Sequence, residues 1–418
     1  MHCEEERVME DIAANWRALS GIEDNWEKQI SDGIDNNLRR YLIHYGQRVG
    51  AVGDSFNEMK KTKGYGLSLF PPEELFTQTC LEKGNPFKYK VSHLIYARSE
   101  FNVGTWWSQG DSGYMGYVAV ATDEGKCVLG RRDILICWRG TLLDKESAED
   151  CDIFQIRADE VFHNSPAKVH QGFLGVYTNK TSFSATDSNK DYTHNSAREQ
   201  VLAAVRKHVD HYGKLNESVS ITVAGHSLGA AIATLNSMDI VSNGYNKPTG
   251  SSSDKIFPVT AFVYASPRLG NKDFVKLFNS LQPNLHLLNI RNAKDIIPDF
   301  PPTWLDYHEV GTKLDIDIIH SEHLNESINV LSHRLHVYLY GIASYKGKDK
   351  NSELAIDFDI ACLNKYDDLL KECLMVPKRW WSSVVKHGMV QMDNGFWEVH
   401  YDYVPPLPPH VPDIPNYK

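Results

Sequence analysis

The stretch SITVAGHSLGAAIATL, residues Ser220–Leu235, changes character in its middle. Its first half has the β-branched and small residues of a buried strand, and its second half is rich in alanine, the best helix former. Between the halves stands Gly225-His226-Ser227-Leu228-Gly229. A strand that turns straight into a helix crowds its backbone on both sides of the turn, and glycine fits there because it has no Cβ. The pattern is a G-x-S-x-G elbow, which predicts Ser227 Oγ exposed at the end of a strand with the first turn of a helix behind it. The bland alternative is a glycine-flanked serine in an ordinary tight turn. The strand before the serine and the helix after it argue against that alternative.

Outward from the elbow the text alternates. AREQVLAAVRKHVDHYG (197–213) predicts an amphipathic helix ahead of the strand VSITVAG. PVTAFVYASP and LHLLNIRN predict two more strands downstream. Strands alternating with helices indicate βαβ units and a mostly parallel sheet. Upstream, YKVSHLIYA, GYVAVATD and RRDILICWRG read as strands, and VAVATDEGKCVLG reads as a hairpin around an Asp-Glu-Gly turn. Residues 9–56 read as helical with interruptions at Gly21 and Gly46, and residues 57–90 as a surface wrap. After Tyr345 the segment KGKDKNSELAIDFDIACLNKYDDLLKECLMVPKRWW reads as a helical pair, and VPPLPPHVPDIP as an extended tail. The expected division is a helical N-terminal extension at 1–90, an α/β core at 91–345, and a helical C-terminal extension with a proline-rich tail at 346–418.

Composition narrows the function classes. The 418 residues, 42% of them hydrophobic and 23% charged, suit a large α/β core with extensions. A net charge of −10 opposes nucleic-acid binding, which needs a basic face, but leaves lipid open, since an apolar rim adsorbs without positive charge. No run approaches the roughly 18 apolar residues of a membrane span. The acidic start MHCEEERVMEDI lacks the apolar core of a secretory signal. The seven cysteines are scattered and form no C-x-x-C pair, so neither a zinc site nor a disulfide framework is indicated. Reduced thiols and a cytoplasmic location are the expectation, with no metal, no organic cofactor and no nucleic acid as partner.

A serine hydroxyl is a poor nucleophile near neutral pH and needs a base, an orienting carboxylate and donors for an oxyanion. In this architecture they follow in the order Ser, Asp or Glu, His. Asp295 lies three residues past the strand LLNIRN, at the sheet edge where the elbow opens, and is preferred to Asp299, which sits further along a proline-rich loop. A turn or capping carboxylate is the plain alternative for Asp295. For the base, His308, His320, His323, His333 and His336 compete. SHRLHVYLYGIASY predicts a helix with Leu335, Leu339 and Ile342 as its packing stripe. His333 falls at the leading end of that helix, free to point back to the sheet edge, whereas His336 is one turn in. The backbone N–H of Leu228 is the first oxyanion donor, at the positive end of a helix. Thr141, closing CWRGT after the strand DILIC, is the second, and a plain Gly-Thr turn is its alternative reading.

Taken together, MGYVAVATDEG, LGRRDILICWRGT, VHQGF, ITVAGHSLGAAIATL, VTAFVYASPRLGN, RNAKDIIP and HRLHVYLYGIASYKG resemble the plant class 3 lipases, more narrowly the plant phospholipase A1-II family. WRALSG near the start and KHGMVQMDNGFWE near the end fit as well, so the resemblance runs from about residue 12 to about residue 400. It implies an α/β-hydrolase-type fold, a mostly parallel sheet flanked by helices, and an acyl-enzyme mechanism. It also implies a phospholipid substrate met at a membrane or micelle surface and cleaved at its sn-1 ester. It places the nucleophile on Ser227, the acid on Asp295 and the base on His333, and a lid on LLDKESAEDCDIF. Where the family usually carries Glu three residues after the histidine and a His near the end of the same run, this chain has His336 and Tyr340. A broader lipid esterase acting on triacylglycerol or galactolipid, and a non-catalytic lipase-like scaffold, are the alternatives.

Overall fold

The computed structural model describes residues 2–100, 112–140, 153–181, 194–215, 217–249, 255–318, 321–325, 332–347, 353–381 and 386–400. Among them the central sheet has seven strands. They are β1 (Tyr89–Arg98), β2 (Ser112–Ala121), β3 (Arg132–Trp138), β4 (Val219–His226), β5 (Val259–Tyr264), β6 (Leu285–Asn292) and β7 (Thr312–Ile316), and they lie side by side in that order. The first two pairings are antiparallel, and β3 through β7 run parallel. The expected mostly parallel sheet flanked by helices is what the chain forms.

The inner strands bury both faces, which is why RDILICW and VTAFVY are apolar runs and do not alternate with polar residues. Helices α2 (Gln171–Thr178), α3 (Ala197–Gly213) and α4 (Leu228–Ser242) cover one face. Ile221 and Val223 of the sheet pack there with Val201, Val205, Ile232 and Leu235. The opposite face is closed by α1 (Asn36–Asp54) and α5 (Leu335–Ser344), where Leu42 and Tyr45 meet Phe262, Leu288 and Leu339. The helix that leads from His333 thus rests on the N-terminal helix and on the sheet.

Beneath β3 a buried polar knot ties α1 to the strands. Asp133 accepts hydrogen bonds from Tyr45 Oη (2.9 Å), Tyr89 Oη (2.7 Å), Ser220 Oγ (2.7 Å) and Thr222 Oγ1 (2.7 Å), with the Arg131 guanidinium 3.5 Å away. Arg131 in turn donates to Ser220 Oγ and Tyr45 Oη. Four donors saturate the carboxylate, the condition under which a buried charge is tolerated.

Three local expectations are corrected. VAVATDEGKCVLG is no hairpin: β2 ends at Ala121 and a helix, Asp123–Leu129, intervenes before β3. Thr122 caps that helix through Gly125 N–H, and Asp123 and Glu124 in its first turn favour its positive end. Gly46 does not interrupt α1. It lies inside the helix because a Cβ there would come 2.2 Å from Leu339 Cδ2, so the glycine allows α1 and α5 to approach closely. The segment after Tyr345 forms two 3₁₀ turns, Ile360–Asn364 and Glu372–Leu374, in place of a helical pair. There the Asn364 side chain takes the N–H groups of Leu369 and Leu370, and Trp380 Nε1 donates to Ala361 C=O, which pins the chain in tight turns. The proline-rich tail lies outside the described residues.

Candidate active site

At the carboxyl end of β4 the chain makes the expected elbow. Ser227 sits between β4 and α4 at φ 56 and ψ −124, a left-handed conformation rare for a residue with a Cβ. Its N–H donates to Tyr264 C=O on β5. Both flanking glycines are required by contact: a Cβ on Gly225 would lie 2.1 Å from Gly229 O, and one on Gly229 would lie 2.4 Å from Trp138 O.

Ser227 Oγ lies 2.8 Å from His333 Nε2, and His333 Nδ1 lies 2.7 Å from Asp295 Oδ2. A carboxylate only accepts, so Nδ1 carries the proton and Nε2 is left to accept from the serine hydroxyl. The structure therefore brings three side chains, separated by up to 106 positions, into one hydrogen-bonded row. Ser227 is 0% exposed, and here the expectation of an exposed hydroxyl is corrected. His333 lies over it and the Gly140 backbone abuts it: a Cβ on Gly140 would come 2.7 Å from His226 Nδ1 and 3.4 Å from Ser227 Cβ.

Burial alone would raise the Asp295 carboxyl. The His333 hydrogen bond and charge, the Tyr338 hydroxyl and the Ile297 N–H outweigh burial and hold the carboxyl below its ordinary range. Tyr338 Oη donates to Asp295 Oδ2 at 2.7 Å and accepts from Asn292 N–H at 3.2 Å, while Ile297 N–H supplies Oδ1 at 3.0 Å. The segment bearing His333 is pinned from two sides. His226 Nε2–H donates to the His333 carbonyl at 2.7 Å, and Asn292 Nδ2 donates to the Ser332 carbonyl at 3.0 Å. Burial, helped by the neighbouring His333, lowers His226 to about 3, so His226 works as a neutral donor.

The rivals go elsewhere. Asp299 pairs with Arg268 and Arg291. His308 pairs with Asp306, and His323 bonds Tyr340 Oη. The His336 ring lies 6.0 Å from Tyr366 and is lowered to about 4 by burial and Lys365. Tyr340 Oη also bonds Ser321, so neither residue at the family's altered positions enters the row. His320, Thr141 and residues 142–152 of the expected lid lie outside the described residues. Leu228, the first residue of α4, presents its N–H at the positive end of the helix beside Ser227. Sequence reasoning did not find Tyr338, His226 and Asn292. The one available signal was that His226 occupies the variable slot of the elbow. Among the described residues no three His, Cys, Asp or Glu side chains gather to hold a metal ion.

A nucleophile elbow at the end of a parallel strand, with a buried Ser–His–Asp row behind it, defines a serine hydrolase of the α/β type. Residues 135–304 match the class 3 lipase family. The chain is 40% identical over 409 residues to phospholipase A1-IIgamma of Arabidopsis thaliana, covering 94% of each. It is 39% identical over 407 residues to phospholipase A1-II 1 of Oryza sativa subsp. indica, covering 94% of this chain and 97% of that one. Among solved structures it is similar to the Lip2 lipase of Yarrowia lipolytica, with 18% identity, 69% of this chain and 82% of that chain covered, and a TM-score of 0.44. The chain belongs to the phospholipase A1-II family.

Proposed function

We propose that the chain is a serine acylhydrolase that cleaves the sn-1 acyl ester of glycerophospholipids through an acyl-enzyme. The observation that carries the chemistry is the row from Ser227 Oγ through His333 to Asp295. Family membership supports the phospholipid substrate. His333 Nε2 takes the Ser227 proton as Oγ attacks the ester carbonyl, and Asp295 holds the ring in the tautomer this needs. The oxyanion forms against the Leu228 N–H, with Thr141 as the second donor; one such donor is worth about 10²–10³ in turnover. His333 then protonates the departing lysophospholipid, and water, activated by the same histidine, releases the fatty acid. Because Ser227 is fully buried, the site has to open before an ester reaches it.

The test is hydrolysis of phosphatidylcholine carrying different acyl chains at its two glycerol carbons. Release of the sn-1 chain, abolished by Ser227→Ala, supports the reading. Release of the sn-2 chain, or hydrolysis that survives Ser227→Ala, contradicts it. Triacylglycerol and galactolipid in parallel assays separate a phospholipase from a broader esterase. A cytoplasmic site of action is part of the proposal, supported by the free thiols of Cys80, Cys127, Cys137, Cys362 and Cys373. Fractionation of cells expressing the full chain tests it.

A further inference from the structure

Most exposed large apolar side chains of a folded chain are scattered, but here four fall on two segments that are fastened together. Trp304 is 79% exposed and Ile296 52%, both on the loop that begins with Asp295. Phe154, the last residue of the expected lid, is 66% exposed, and Ile156, in the short strand Gln155–Arg157 that follows it, is 38% exposed. Gln155 Nε2 reaches from that segment to the carbonyls of Leu305 (3.1 Å) and Asp306 (3.2 Å). Tyr307 Oη reaches back to Ile153 C=O at 3.0 Å.

The display is held rigidly. Between Ile296 and Trp304 the chain makes two 3₁₀ turns through Pro298, Pro301 and Pro302. Arg268 fastens the stretch by its N–H to Phe300 C=O (2.8 Å) and by its guanidinium to Pro301 C=O (3.2 Å). An exposed tryptophan on a loop whose backbone is braced is an anchor whose loop is ordered before it binds anything.

The charges around the loop select the occupant. Arg268, Arg291, Lys294 and Lys313 are outnumbered by Asp295, Asp299, Asp306, Glu309 and Asp315. Arg268 and Arg291 both pair with Asp299 and Glu309, and Lys313 pairs with Glu309. On the other segment Arg157 pairs with Asp159. This is no basic patch, and the whole chain carries −10, so attraction to anionic lipid is not the driving term. Insertion of aromatic and aliphatic side chains at the headgroup level needs no net charge.

We propose that these two segments form a preordered apolar face that docks the enzyme on a zwitterionic phospholipid surface, with Trp304 as the principal anchor. Ile296 follows Asp295 directly in the chain, so the docking loop is continuous with the segment that carries the catalytic carboxylate. The inference rests on the phospholipid reading above and adds the surface through which that substrate is met.

The experiment uses the full chain carrying Ser227→Ala, so that no lipid is consumed, sedimented with phosphatidylcholine vesicles. Trp304→Ala and, separately, Phe154→Ala are each expected to weaken partitioning about tenfold, as loss of one large apolar anchor does, with melting temperature unchanged. Salt from 50 to 500 mM and replacement of a third of the lipid by phosphatidylserine are expected to change binding by less than about twofold. Partitioning that both substitutions leave intact overturns the proposal. So does binding that rises steeply with phosphatidylserine and collapses in salt. A separate arm follows turnover of a soluble short-chain ester by the native enzyme. Failure of that arm counts against the hydrolase reading alone, since vesicle binding involves no chemistry.

Discussion

Replacing Tyr338 by phenylalanine removes one oxygen from the fold and leaves its ring in place. That oxygen donates to Asp295 Oδ2 at 2.7 Å, beside the proton that His333 Nδ1 donates to the same atom at 2.7 Å. A hydrogen bond to a charged group is worth about 1.5–3 kcal/mol, so losing this one should raise the Asp295 carboxyl. The sign follows from its present state, below the ordinary carboxylate range despite burial. That rise moves the acid limb of the rate profile to higher pH. Tyr338 lies buried behind the carboxylate and meets no substrate, so kcat should fall several-fold while KM stays put. The Asn292 N–H loses its acceptor, which lowers stability by about 1–3 kcal/mol. Steady-state kinetics from pH 4 to 9 on wild type and Tyr338→Phe provide the assay. An acid limb that stays put or moves down, or a loss confined to KM, refutes the assigned role of the tyrosine.

Asp133→Ala leaves the Arg131 guanidinium buried without its carboxylate, so thermal or urea unfolding should show a loss of about 3–5 kcal/mol. Gly229→Ala drives a methyl group to 2.4 Å from the Trp138 carbonyl, and the elbow must shift. Turnover should drop at least about 100-fold in a chain that still folds, as circular dichroism can verify. His170 and His226 are held neutral by burial, at about 4 and about 3, and gain protons on unfolding. The unfolded chain binds more protons below the ordinary histidine value, so stability should fall as pH drops from about 6.5, by up to about 1.4 kcal/mol per pH unit for each ring. Melting curves at pH 5 and 7, with His170→Asn as control, report the slope.

What could be read from the sequence was whatever local sterics and chain order dictate. The elbow was legible because only glycine permits the contacts of residues 225 and 229 with neighbouring backbone. Asp295 and His333 followed from where strands end and a helix begins. The hairpin expectation failed because alternation in VAVATDEGKCVLG outweighed a threonine cap and two acids, which favour a helix. Gly46 was misread because its cause lies 293 positions away, in Leu339. Tyr338 and His226 stayed silent for the same reason. Their partners, Asp295 and His333, meet them only in the folded chain, and neither residue carries a periodic or spacing signal that marks its bond.

The central claim is that Ser227, His333 and Asp295 act as one unit, and non-additivity measures it most directly. Phospholipid hydrolysis by Ser227→Ala, His333→Ala and the double variant should fall to a common floor, about 10⁴–10⁶ below wild type, with the double no slower than either single. Losses that multiply in the double variant would mean that the hydroxyl and the imidazole work independently, and the row at the end of β4 would then not be the machinery of this enzyme.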